Sequence, residues 1–224
     1  MKNTWRFTGN EEKYLLEVIS GDMISATSGN MNQRFEQAFC EYTNTEYAIT
    51  FNSGTSTLHA ALHACEVHAG DEVIVPPLTV ISNVDVIFAQ GAIPVFADID
   101  PYTWNMCPKS AEKLITSKTK AIMPVSLYGL SANLQEFAKI GKKYSIPIIN
   151  DAAEAFGATC EHQDINSMAD ITSYSLENSK HITTGDGGIV VTNNEEYAVK
   201  MRKFGSLSYG AMKAGDGRIR LNKA

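Results

Sequence analysis

From residue 47 onward, short apolar runs alternate with helix-periodic segments, and this alternation restricts the fold more than any other feature. Apolar runs fall at 47–51, 71–75, 93–97, 121–127, 146–149, 171–176 and 189–192. Between the first two, Leu58, Ala61, Leu62 and Cys65 recur at helical spacing; after the fourth, Leu134, Phe137, Ala138 and Gly141 share one helix face. Apolar strands separated by helices predict an α/β fold: a mixed, mostly parallel sheet of about seven strands with helices on both faces. The first 45 residues differ. Leu15, Val18 and Ile19, then Phe35, Ala38, Phe39 and Tyr42, predict two amphipathic helices packed at the edge of the core.

Composition narrows the function. The 224 residues carry a formal net charge of -6 and no basic block, which argues against nucleic-acid binding. No apolar stretch reaches the roughly 18 residues of a membrane span, and Met1 to Arg6 lead into polar sequence, not a signal-peptide core. Cys40, Cys65, Cys107 and Cys160 are scattered, as expected of reduced thiols in a cytoplasmic protein.

Ligands of parallel sheets collect at the carboxyl ends of strands, and three strand ends here carry chemistry. Asn52-Ser53-Gly54-Thr55-Ser56 stands at a strand-to-helix turn, where backbone amides and the helix dipole suit a phosphate; the same residues also suit a plain helix N-cap by Ser53 or Thr55. Asp151 closes an almost wholly apolar strand, where a carboxylate needs a partner; it suits either a buried cationic N–H or an N-cap of a helix through Ala152 and Ala153. Glu154 follows within one helical turn. Lys180 lies between Ser175, at another strand end, and Gly185, Gly187 and Gly188. An amine, a strand-end carboxylate and a phosphate cradle are the three groups that pyridoxal phosphate requires, for its aldehyde, pyridinium nitrogen and phosphate. His59 and His63 stand at i, i+4 without a third ligand at sensible spacing, so no metal site is expected. Asp98-Ile99-Asp100-Pro101 reads as a strand-ending turn.

These segments carry a resemblance. Gly54-Thr55-Ser56-Thr57-Leu58, Gly70 to Pro76, Gly91 to Asp100, Leu127-Tyr128-Gly129, Asp151-Ala152-Ala153-Glu154-Ala155 and Ser175 to Gly188 together resemble the DegT/DnrJ/EryC1/StrS aminotransferases from about Gly29 to Tyr209. The resemblance implies a fold type I enzyme that uses pyridoxal phosphate to move an amino group from glutamate or glutamine to a nucleotide-linked keto sugar by a ping-pong route. It implies that Lys180 condenses with the cofactor and shuttles protons, Asp151 pairs with the ring nitrogen, Glu154 lies near the phenolic oxygen, and Ser175 with the Gly54 and Thr55 amides holds the phosphate. It also implies a homodimer, and a division into a helical segment (1–45), a cofactor-binding large domain (46–224) and a small C-terminal domain outside the given chain. Val80 stands where many relatives carry a ring-stacking aromatic, and Ser126 where a histidine is common. Two alternatives remain open: a sugar dehydratase of the same fold, whose relatives replace the lysine with histidine, and a truncated, inactive cofactor-binding or interaction module.

Overall fold

A computed structural model describes residues 9–21 and 30–205. The chain runs α1 (Glu11–Ser20), α2 (Met31–Thr43), β1 (Tyr47–Phe51), α3 (Gly54–Ala64), β2 (Glu72–Val75), α4 (Ser82–Ala89), β3 (Ile93–Phe96), α5 (Pro108–Lys113), β4 (Thr119–Ile122), α6 (Leu134–Tyr144), β5 (Ile149–Asp151), β6 (Thr159–Cys160), β7 (Gln163–Asp164), β8 (Ile171–Ser175), β9 (Gly188–Thr192) and α7 (Glu195–Gly205).

Seven of these strands form two ladders, not one continuous sheet. One has the order β1-β9-β8-β5 and the other β3-β2-β4. Single parallel bridges, Ile122 with Ile148 and Val125 with Asp151, join them edge to edge. The seam is irregular because Pro124 and Pro147 stand on its two sides and offer no N–H to a ladder. The same prolines shift two expected strands: the fourth stops at Ile122, and the fifth begins at Ile149 and includes Asp151. β9 runs antiparallel to both β1 and β8, and the remaining pairings are parallel. The hairpin β6–β7 adds a pair that the apolar runs did not reveal.

Strand residues alternate between two cores. Ile74, Ile122, Ile148, Ile189 and Val191 face Phe39 of α2, Ala111 of α5 and Leu134, Phe137 and Ile140 of α6. Val73, Val75, Ala121, Ile149 and Val190 face Leu58 and Leu62 of α3, Val86 and Ile87 of α4, and Ala198 and Met201 of α7. Both sheet faces are therefore covered, as their unbroken apolar sequences require. A partly buried bridge ties three elements: Arg202 of α7 donates to the buried Glu36 of α2 at 2.6 Å, and Glu36 also accepts from the amide and hydroxyl of Thr50 at 2.8 Å each.

The two N-terminal helices differ from each other. α2 buries Phe39 and packs Phe35 against the core. α1 buries none of its residues, and Leu15, Leu16 and Ile19 stay exposed. Its apolar stripe is thus not used on the core, contrary to the periodicity-based expectation.

Candidate active site

β1 and β8 both run antiparallel to β9, so they run parallel to each other, and β5 runs parallel to β8. Their carboxyl ends therefore meet at one edge, together with the first residue of β9. A cavity of about 320 Å³ opens there. Its walls contain all six residues singled out by sequence: Gly54, Thr55, Asp151, Glu154, Ser175 and Lys180.

At one end, Ser53 adopts extended backbone and caps α3, its Oγ accepting from the Ser56 amide at 3.1 Å. The capping alternative is thus realised, but it uses only the third amide of the helix. The amides of Gly54 and Thr55 precede it, at the positive end of the helix dipole, where an anion is stabilised. Bare backbone is required here by close packing. A Cβ on Gly54 would lie 2.9 Å from Ser175 Cβ, and one on Gly188 would lie 2.4 Å from the Ser53 carbonyl oxygen. Thr55 Oγ1 donates to Ser82 Oγ at 3.0 Å, which ties the start of α3 to the start of α4.

At the other end, Asp151 is buried as the last residue of β5. No helix follows it, so it is not an N-cap. Its Oδ1 accepts from the Ala153 amide at 3.0 Å, and its Oδ2 accepts from Asn83 Nδ2 at 2.9 Å. Burial pushes the carboxyl above its ordinary range, while the Asn83 and Ala153 donors and the charge of Lys180 act in the opposite direction.

Lys180 and Glu154 line the cavity between these ends. Lys180 Nζ lies 3.5 Å from Glu154 Oε1, with the lysine side chain only 21% exposed. Glu154 is held from behind, because Oε2 accepts from the Tyr128 amide at 3.0 Å. Tyr128 takes a left-handed backbone conformation, φ 53°, in the tight turn that aims this amide. Lys180 is anchored through its own amide, which donates to the Glu177 carbonyl at 2.9 Å. Glu177 accepts from the Ser179 amide and hydroxyl, and these bonds hold its carboxyl below the usual range.

The sequence gives no sign of Asn83, because nothing near it in the chain signals a carboxylate 68 residues away, nor of Thr79, which lines the cavity and donates to Asn83 Oδ1. Val80 lines the cavity, and no aromatic ring does so among the described residues. Ser126 lies away from it, buried, donating to Asn150 Oδ1 and accepting from the Ala132 amide. His59 and His63 pack on the Phe204 ring, and no cluster of three metal-ligating side chains occurs among the described residues. Asp100 Oδ1 accepts from the amides of Tyr102 and Thr103, which makes the expected turn.

The DegT/DnrJ/EryC1/StrS aminotransferase family model matches residues 7–220. The chain belongs to this family. Its sequence is 42% identical over 197 residues to GDP-perosamine synthase of Caulobacter vibrioides, covering 88% of this chain and 53% of the relative. It is 43% identical over 188 residues to GDP-perosamine synthase of Escherichia coli O157:H7, covering 84% and 51%. The crystal structure of NtdA from Bacillus subtilis with bound cofactor PMP superposes with a TM-score of 0.80 at 32% identity, over 88% of this chain and 45% of that one. The chain thus spans about half the length of the curated relatives it matches, and its fold is that of fold type I pyridoxal-phosphate aminotransferases.

Proposed function

We propose that the protein is a pyridoxal-phosphate-dependent aminotransferase that moves an amino group from glutamate or glutamine to a nucleotide-linked keto sugar. The observation that carries this reading is the meeting of Lys180, Asp151, Ser175 and the start of α3 around one cavity. The residues suit the cofactor. A buried carboxylate with two N–H donors already in place suits a cationic ring nitrogen, and the tight contact of Gly54 with Ser175 leaves backbone amides free of side-chain bulk for a phosphate. The volume falls within the small-ligand range of roughly 300–1,000 Å³.

In this assignment Gly54, Thr55 and Ser175 would hold the phosphate, Asp151 would pair with the ring nitrogen, and Lys180 would supply the amine that faces the aldehyde. Pyridoxal phosphate, when bound, supplies an aldehyde that accepts amines and a protonated ring that withdraws electrons from the reacting carbon. Lys180 would move protons at its Nζ, and Glu154, 3.5 Å from that Nζ, would orient the amine. Retention of the lysine favours amination over dehydration. The nucleotide-sugar acceptor is supported by similarity to the GDP-perosamine synthases. The same reading includes a homodimer, and residence in the cytoplasm, which suits four free cysteines. No helix among the described residues is long and apolar enough to cross a membrane.

Borohydride reduction of the protein with pyridoxal phosphate, followed by peptide mapping, tests the assignment. A pyridoxyl group on Lys180 is expected. Modification spread over surface lysines, with no visible absorbance band before reduction, sinks it.

A further inference from the structure

The start of α4 touches both ends of the cavity. Ser82 is bonded to Thr55, and Asn83, fully buried, donates to Asp151 Oδ2 at 2.9 Å. The rest of the Asn83 amide is engaged as well. Thr79 Oγ1 donates to its Oδ1 at 2.8 Å, and its Nδ2 lies 3.6 Å from Met123 Sδ. This arrangement sets which way the amide faces. Turned over, it would oppose oxygen to a carboxylate oxygen and leave the Thr79 hydroxyl facing an NH₂ group. Asn83 does not line the cavity; its hydrogen-bond partners Thr79 and Asp151 both do, and of the two only Asp151 is ionisable. With the Ala153 amide on Oδ1, each carboxylate oxygen receives one N–H. Stripped of these donors, a carboxyl buried this deeply takes up a proton and can no longer accept from a cation. Lys180, from the loop after β8, and Glu154, from the loop after β5, are the charged groups that act on it, with opposite signs.

We propose that Asn83, oriented by Thr79, is a positioning residue that fixes the Asp151 carboxylate as an acceptor for the N–H of a protonated heteroaromatic ring in the cavity. The choice of ring rests on the function proposed above; the coupling between Asn83 and Asp151 does not.

The test reads Asp151 directly. In apo-protein carrying carboxyl-¹³C aspartate, the Asp151 signal is identified by its loss in Asp151→Asn and titrated from about pH 4 to about pH 9. Asn83→Leu is expected to raise its midpoint by about one pH unit or more, the scale of one hydrogen bond to a charged group. Thr79→Val, a milder change, should raise it less and in the same direction, and it decides the matter if Asn83→Leu does not fold. Pyridoxal phosphate affinity near neutral pH should fall about tenfold in Asn83→Leu, and should not fall further when the same change is made in Asp151→Asn. An unmoved midpoint in a folded variant overturns the proposal, as does an affinity loss that adds in full to that of Asp151→Asn. A moved midpoint in a protein that never binds pyridoxal phosphate overturns the functional reading and leaves the positioning of Asp151 supported.

Discussion

Two opposing demands meet at Asp151. The proposed function needs a carboxylate there to hold a protonated ring nitrogen, yet burial at the end of β5 disfavours its charge. Because its folded pKa is raised, folded protein retains a proton there at pH values where unfolded chain has lost it. Stability is therefore lost as pH rises from the ordinary aspartate range, about 4, through the folded value. Replacing Asp151 by Asn removes this dependence. The stability of wild type relative to Asp151→Asn, measured by urea denaturation of apo-protein, should fall as pH is raised above about 4. If the proposed function holds, Asp151→Asn should still bind cofactor but lose turnover by on the order of a hundredfold or more, since a neutral amide cannot hold the ring proton that makes it an electron sink. Near-normal turnover would reduce Asp151 to a turn-forming residue. The placement of Lys180, Asp151 and Gly54 at one cavity was legible in sequence because Asp151 ends an apolar strand, Gly54 opens a strand-to-helix turn, and Lys180 lies in a glycine-rich segment after a strand. Asn83 was not, because its importance lies in a partner brought close only by the fold.

The turn that opens α3 depends on two elements approaching more closely than side chains allow. Gly54→Ala would put a methyl group 2.9 Å from Ser175 Cβ, so α3 must move away from β8. Overpacking of this kind costs about 1–3 kcal/mol, and a tenfold or greater loss of pyridoxal phosphate affinity should accompany it, with the fold retained by circular dichroism. Unchanged affinity would separate this turn from the phosphate. The bridge between α2 and α7 acts differently. Arg202→Met leaves Glu36 buried without its cation, at a cost of about 3 kcal/mol, since the Thr50 donors remain. The double change Glu36→Gln with Arg202→Met should recover most of that loss, because the amide oxygen still accepts from Thr50 and no charge is left buried, and failure to do so would mean that Arg202 contributes chiefly through packing. At this scale the sequence revealed seven strands and their facing helices, because apolar runs and period report burial directly. It did not reveal the break between the two ladders, where Pro124 and Pro147 remove donors without interrupting the apolar run.

Among the described residues, α1 presents an apolar face that the core does not use. Leu15, Leu16 and Ile19 of α1 are each more than half exposed, while the helix that follows buries Phe39 and packs Phe35 against the core. Exposed leucines and isoleucines grouped on one short helix mark an interaction surface more often than a tolerated solvent contact. Assembly as a homodimer is part of the function proposed here, and a closed two-fold pair is the commonest arrangement among soluble oligomers. A stable interface needs about 800 Å² from each partner, more than one helix of ten residues supplies, so α1 can form only part of it. Light scattering at micromolar concentration should give twice the chain mass. Replacing Leu15 and Ile19 together by Glu should weaken the pair without unfolding the protein, since neither side chain belongs to the core. Borohydride trapping at Lys180 in that variant then reports whether the cavity needs the neighbour. A dimer unaffected by both glutamates would move the interface away from α1, and a wild-type chain that is monomeric at these concentrations would remove the homodimer from the proposed function.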